Sequence, residues 1–335
     1  MYPLTHMNRR DFLSTLAGAG LAIAAGQALA ATASRSRIQI AGKSFRGIFP
    51  IMATPYTAAR KIDFEDLAKE VDFLERCGVH GMVWPQWASG CRDISKEDRM
   101  KGFETLAAAH KGKKTSLILG VQATDKKGML EFAEKALAQE PDALIAMPPF
   151  EGKTLDEYRD YYLALARLSD RPVFIQTTGG NEALEPSISV EFLLGIIKDN
   201  PNLCYLKDEV EPMVPRLKTW VGNRPLVKYV FCGHDGKNFM NELAVGADGT
   251  MPSAGYSDVL VELWNAYQAG NKDRAQQAFD ALLAALSLGA NTPYVMMKRG
   301  VFKTKFTPKG DHPLPDDLKQ KLDAQLDALK PFFKA

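Results

Sequence analysis

The feature that most constrains this chain is an eightfold alternation. Short apolar runs recur from Phe45 onward: GIFPIMAT (47–54), GMVW (81–84), TSLILGVQ (115–122), DALIAMPP (142–149), PVFIQTT (172–178), LCYLKDE (203–209), VKYVFCG (227–233) and ADGTMPS (247–253). They are continuous rather than alternating, as expected of parallel strands covered on both faces. Helical patterns fill the gaps. Leu67, Val71 and Leu74 repeat at three- and four-residue spacing within 63–76. Ser95 precedes a segment that carries Asp98 three positions on, the pattern of a capped helix start. Further helices are expected over 126–139, 154–169, 189–199, 211–221, 236–245 and 258–269. Eight strand–helix units in about 220 residues predict a (β/α)8 TIM barrel. A doubly wound sheet is the rival, and the lack of GxGxxG after the first strand lowers it. Beyond Asn271 the pattern is all-helical. The expected organisation is therefore a signal over 1–30, an arm over 31–44, a barrel over 45–270 and a C-terminal helical extension over 271–335.

The first thirty residues differ in kind. Arg9 and Arg10 precede Phe12 and Leu13, then a Gly/Ala-rich run, then the small-x-small pattern Ala28-Leu29-Ala30. This is the pattern of a twin-arginine export signal, with Met7 an alternative start. The run is too short and small-sided for a stable membrane span. A periplasmic protein, free of the membrane after cleavage, is the expectation. Net charge is +2, from 42 basic and 40 acidic residues, with no basic block and no aromatic-basic interleaving. Nucleic acid is not an expected partner. Cys77, Cys91, Cys204 and Cys232 form no CxxC pair and no metal spacing with histidine. They read as buried thiols, although an oxidising compartment would permit a disulfide. Neither a metal nor an organic cofactor is expected.

Lys207 closes the sixth apolar run and is followed by Asp208 and Glu209. Lysine is seldom fully buried. By itself the stretch reads as a surface lysine paired with Asp208. In a barrel of this kind, however, active sites lie at the C-terminal strand ends, which points Lys207 into the mouth. An amine there can condense with a ketone. The resulting imine is an electron sink for carbon–carbon cleavage or formation.

The chain resembles the dihydrodipicolinate synthase / N-acetylneuraminate lyase family of class I Schiff-base lyases. The resemblance runs from about Arg46 to Ala254. It rests on GIFPIMATPY with Ile62-Asp63, CGVHGMV (77–83), SKEDR (95–99), PPF (148–150), YLKDE (205–209), CGHD (232–235) and GADGT (246–250). It implies a barrel with a helical tail, a homotetramer or homodimer, and Lys207 as the imine-forming residue. It also implies departures. Where the family carries Gly-Thr-Thr-Gly-Glu for the keto-acid carboxylate, this chain has Trp87-Ala88-Ser89-Gly90-Cys91. Ser89 and Gly90 can stand in for part of it. Where the family carries a proton-relaying tyrosine at the end of strand five, this chain has Gln176, which is no ordinary acid-base group. Phe150 and Glu151 replace the synthase's tyrosine pair, and Asn181 lies where the synthase uses an arginine.

The candidate catalytic residues are thus Lys207, Glu209 and Gln176. Candidate substrate contacts are Ser89, Gly90, Thr177, Thr178, Glu151, His234 and Met251. If the strand continues, Glu209 shares a face with Lys207; otherwise it is an acid at a helix start. His80 reads as structural, at the opposite rim. Trp84 and Trp87 either line the pocket or fill core. The expected activity is a Schiff-base lyase or aldolase acting on a 2-keto acid or keto-sugar acid, rather than the lysine-pathway synthase. Two other possibilities stand beside it: a non-catalytic small-carboxylate or sugar-binding protein on the same barrel, and a hydrolase or dehydratase using Glu209 and His234 without an imine.

Overall fold

The computed structural model describes residues 44–178, 186–311 and 313–335. The expected signal, nearly all of the arm, and Asn181 lie outside the described residues.

Eight parallel strands alternate with helices, as the apolar runs require. The strands are β1 (Gly47–Ile48), β2 (Gly81–Trp84), β3 (Ser116–Gly120), β4 (Ala143–Ala146), β5 (Val173–Gln176), β6 (Tyr205–Lys207), β7 (Tyr229–Cys232) and β8 (Gly249–Thr250). The helices that follow them are α1 (Phe64–Cys77), α2 (Lys96–His110), α3 (Lys126–Leu137), α4 (Leu155–Leu168), α5 (Val190–Ile197), α6 (Met213–Gly222), α7 (Phe239–Ala244) and α8 (Ser257–Gln268). The strands run in order β1-β8-β7-β6-β5-β4-β3-β2. Closure comes from the chain just past β1, where the Val83 amide donates to the Pro50 carbonyl at 2.9 Å and the Met52 amide to the Val83 carbonyl at 2.9 Å. The expected TIM barrel is present.

Local chemistry sets the helix starts. The Ser95 hydroxyl accepts from the Asp98 amide at 3.1 Å, and Thr154 with Glu157 forms a reciprocal capping box at α4. Near the 236–245 segment the backbone departs from the expected single helix. A one-turn 3-10 segment, His234–Gly236, precedes α7, and both His234 and Asp235 have left-handed φ, 51° and 56°.

Side chains alternate across each strand, so residues two apart share a face. The inward faces of β5, β6 and β7 carry Phe174, Tyr205, Tyr229 and Phe231. Phe174 meets Tyr205 at 5.3 Å and Phe231 at 5.5 Å, centroid to centroid. Phe231 in turn packs edge-on against Phe49 at 5.0 Å. These rings plug the barrel and form the floor beneath the residues that end β5 and β6.

The helical extension comprises α9 (Lys272–Leu286), α10 (Thr292–Lys298) and α11 (Asp316–Leu329). It is fastened to the barrel by a buried pair. Arg299 donates to both carboxylate oxygens of Asp258, at 3.0 and 2.6 Å. The same guanidinium reaches the Ala335 oxygen at 2.8 Å. The turn between α9 and α10 thereby comes to lie over the strand ends.

Candidate active site

β5 and β6 are paired in a register that sets Gln176 beside Lys207. Both side chains continue the inward face defined by Phe174 and Tyr205 below them. Lys207 is 2% exposed. Its Nζ donates to Gln176 Oε1 at 3.4 Å and lies 3.2 Å from Glu209 Oε2. Gln176 closes the ring, donating from Nε2 to the same Glu209 oxygen at 3.0 Å. Thr178 adds a hydroxyl donor to that oxygen at 3.3 Å. One carboxylate oxygen therefore receives an amine, a carboxamide and a hydroxyl.

The backbone past β6 is held so that this is possible. The Glu209 amide donates to Thr177 Oγ1 at 3.2 Å, and that hydroxyl donates onward to Asp208 Oδ1 at 2.6 Å. Asp208 points the other way, into the helix layer. It accepts from Arg216 Nε at 2.7 Å and from the Trp220 indole. Strand alternation thus separates two adjacent acids: Asp208 braces α6, while Glu209 stays with the lysine. On β7's side, Gly233 leaves the required room, since a Cβ there would fall 1.8 Å from Glu209 Oε1.

Lys207 and Glu209 form the base of a cavity of about 420 Å³. Ile51, Met251, Trp87 and Ala88 supply an apolar wall, and His234, Asp235 and Ser253 a polar rim. Residues 290–293, from the α9–α10 turn, form its outer edge. Asp235 is fixed by the Ser253 amide, which donates to Oδ1 at 2.9 Å. His234 is half-exposed, with Nδ1 3.9 Å from Glu211 Oε1.

The structure brings together Lys207, Glu209, Gln176, Thr178, His234 and Met251. Ser89 lies outside this group: its buried hydroxyl donates to the Met52 carbonyl at 2.6 Å and accepts the Gln86 amide at 3.1 Å. Gly90 ends the turn with φ 69° and does not line the cavity. Thr177 acts as the brace described above. Glu151 is exposed and borders a separate cleft of about 460 Å³ with Phe150 and Arg92. Arg92 stacks against both Phe150 and Trp87, at 4.5 and 5.2 Å from the ring centroids, and so supports the cavity's wall. His80 sits at the closed end of the barrel, where Nδ1 accepts the Ile48 amide at 3.1 Å and burial lowers its pKa. The residues missed from sequence are Ile51, Asp235, Ser253 and the 290–293 turn. Asp235 was detectable as a strand-end acid beside His234. The turn belongs to the extension, and no strand-end rule points to it.

Among the described residues no group of histidine, cysteine and carboxylate side chains could hold a metal ion. All four cysteines are buried and unpaired. Behind β7, Cys232 faces Glu242 of α7. Burial pushes the thiol well up and raises the Glu242 carboxyl to about 7.

The sequence model of the dihydrodipicolinate synthetase family matches residues 44–305. The chain belongs to that family. Among curated relatives, the Escherichia coli K12 "Probable 2-dehydro-3-deoxy-D-pentonate aldolase YjhH" is 24% identical over 262 residues, covering 76% of this chain and 85% of its own. The L-2-keto-3-deoxyarabonate dehydratase of Azospirillum brasilense is 23% identical over 81% of this chain and 89% of its own. The crystal structure of E. coli K12 YagE in complex with pyruvate superposes with a TM-score of 0.75 at 21% identity, over 85% of this chain and 99% of that one. The family assignment and this superposition agree with the barrel traced above.

Proposed function

We propose that this member of the family is a carbon–carbon lyase that forms an imine through Lys207 and cleaves a 2-keto-3-deoxy sugar acid to a 2-keto acid and a hydroxyaldehyde. One observation carries this reading. A lysine 2% exposed ends β6 at the base of an open cavity, and its amine touches a carboxylate. A buried lysine without a chemical role is costly, and strand ends at this face are where barrel enzymes work. The names of YjhH and the A. brasilense dehydratase support a keto-deoxy sugar acid as the substrate class.

The chemistry follows from the amine. Nζ attacks the keto carbon, the carbinolamine loses water, and the iminium draws electrons from the neighbouring carbon–carbon bond. Loss of the aldehyde leaves an enamine, which takes a proton, and water then releases the keto acid and free Lys207. The Arg9-Arg10 segment supports export to the periplasm, and family likeness supports a homo-oligomer.

Borohydride reduction in the presence of pyruvate tests the reading. A mass increment on the Lys207 peptide is expected, absent in Lys207→Ala. A Lys207→Ala enzyme with undiminished turnover would remove the imine altogether. Ligand-induced thermal stabilisation with neither adduct nor product would instead favour a binding protein.

A further inference from the structure

The imine chemistry proposed above needs a group that carries protons at the reacting carbons, and Gln176 has none to exchange at neutral pH. We propose that Glu209 is that group, and that Gln176 is a positioning residue. The inference rests on the Lys207 reading and adds the identity of its acid and base.

Four observations converge on Glu209. Its Oε2 is 3.2 Å from the lysine Nζ, within direct proton-transfer range. The carboxylate borders the cavity, so it also reaches bound substrate. Gln176 bridges the pair through both ends of its carboxamide, at 3.4 Å to the amine and 3.0 Å to the carboxylate. Gly233 alone leaves room for the side chain, because a Cβ there would overlap it at 1.8 Å. The alternatives fall away on geometry. Asp208 faces Arg216 and Trp220. Asp235 is turned to the Ser253 amide at the rim. His234 lies at the same rim beside Glu211. Thr178 is a hydroxyl that donates to Glu209 itself.

The steps balance around one proton. Glu209 takes a proton from the Lys207 ammonium, which frees the amine's lone pair for attack on the ketone. The protonated carboxyl then gives that proton to the carbinolamine hydroxyl, which leaves as water and generates the iminium. As carboxylate again, Glu209 removes the proton of the substrate hydroxyl whose carbon becomes the aldehyde, while the carbon–carbon bond breaks and its electrons form the enamine. The same proton returns to the enamine carbon. Hydrolysis reverses the first two transfers.

Pyruvate in D2O provides the test, because enamine formation exchanges its methyl protons and can be followed by NMR without knowing the natural substrate. In the wild type, exchange and a borohydride adduct are both expected. In Glu209→Gln the adduct is expected to persist on longer incubation while exchange falls by about 10²- to 10⁴-fold, the usual contribution of a positioned acid-base group. Glu209→Asp should recover part of the exchange. Gln176→Leu should slow exchange less than Glu209→Gln does, and Gln176→Asn should recover part of it, since the carboxamide holds the carboxylate in place without carrying the proton. Thermal melts confirm that each variant is folded. Exchange in folded Glu209→Gln within about threefold of wild type, with the adduct intact, would overturn the role of Glu209 and leave Lys207 standing. No adduct and no exchange in the wild type would remove both.

Discussion

Whether a side chain takes part in chemistry here is decided by which way one strand faces. Lys207 and Glu209 look inward and Asp208 outward, so neighbouring acids have unrelated fates. The sequence showed Lys207 as a candidate because a strand end in a barrel mouth is a position that spacing can locate. It showed Glu209 only conditionally, since the alternation had to continue one residue past β6. Ser89 illustrates what residue type cannot reveal. A serine beside a glycine in a strand-end loop resembles a substrate contact, yet its hydroxyl is engaged by the Met52 carbonyl and Gln86 amide. Gly233 gives a sharp test at this scale. In Gly233→Ala the new methyl would meet Glu209 Oε1 at 1.8 Å, so the carboxylate must move. We expect pyruvate proton exchange to fall at least about tenfold and stability to drop by about 1–3 kcal/mol. In a Glu209→Ala background, Gly233→Ala should cost little further stability, and the exchange should stay lost. A single Gly233→Ala variant with wild-type exchange rates would show that the geometry around Glu209 is unimportant.

At the scale of elements, the site depends on how β6 is joined to α6. Asp208 accepts from Arg216, Trp220 and Thr177, and Thr177 holds the Glu209 amide. Asp208 is buried and Arg216 largely so, and removing one partner of such a pair strands the other charge, at a cost of about 3–5 kcal/mol. Asp208→Ala should therefore lower the melting temperature by roughly 10 °C for a domain of this size, and slow exchange indirectly. A shift below about 2 °C would mean that water already screens the pair. The alternation of apolar and helical stretches was legible because each strand is buried on both faces. Boundaries were less so. The helix expected over 236–245 starts only at Phe239, after a 3-10 turn at His234–Gly236 that holds two left-handed residues, because the chain must bring His234 and Asp235 to the rim before α7 starts. No periodicity encodes that detour.

The whole molecule carries a cost of packing helices tightly over strands that contain acids. Glu242 of α7 is fully buried against β7, and neither carboxylate oxygen accepts a protein hydrogen bond of normal geometry. Burial is the largest cause of its rise from 4.5 to about 7, and the charges of Glu211 and Glu209 add to it. The direction of the pH effect follows. Between those two values the folded protein holds the proton more firmly than the unfolded chain does. Stability is greatest below the unfolded value, declines as pH rises through the folded one, and is flat beyond it. Over that full span the loss would be on the order of 3 kcal/mol. Glu70 is also buried with a raised pKa, and its Oε1 accepts the Ala53 amide at 3.0 Å, so the wild-type curve alone cannot isolate Glu242. A difference measurement can. Glu242→Gln keeps the shape of the neutral acid and never ionises. Urea unfolding of both proteins from pH 5 to 8.5 should give nearly equal stabilities at the acid end. The variant should become the more stable one by about 2 kcal/mol at the alkaline end. Parallel curves across that range would show that Glu242 is already ionised at pH 5 or finds a partner when charged.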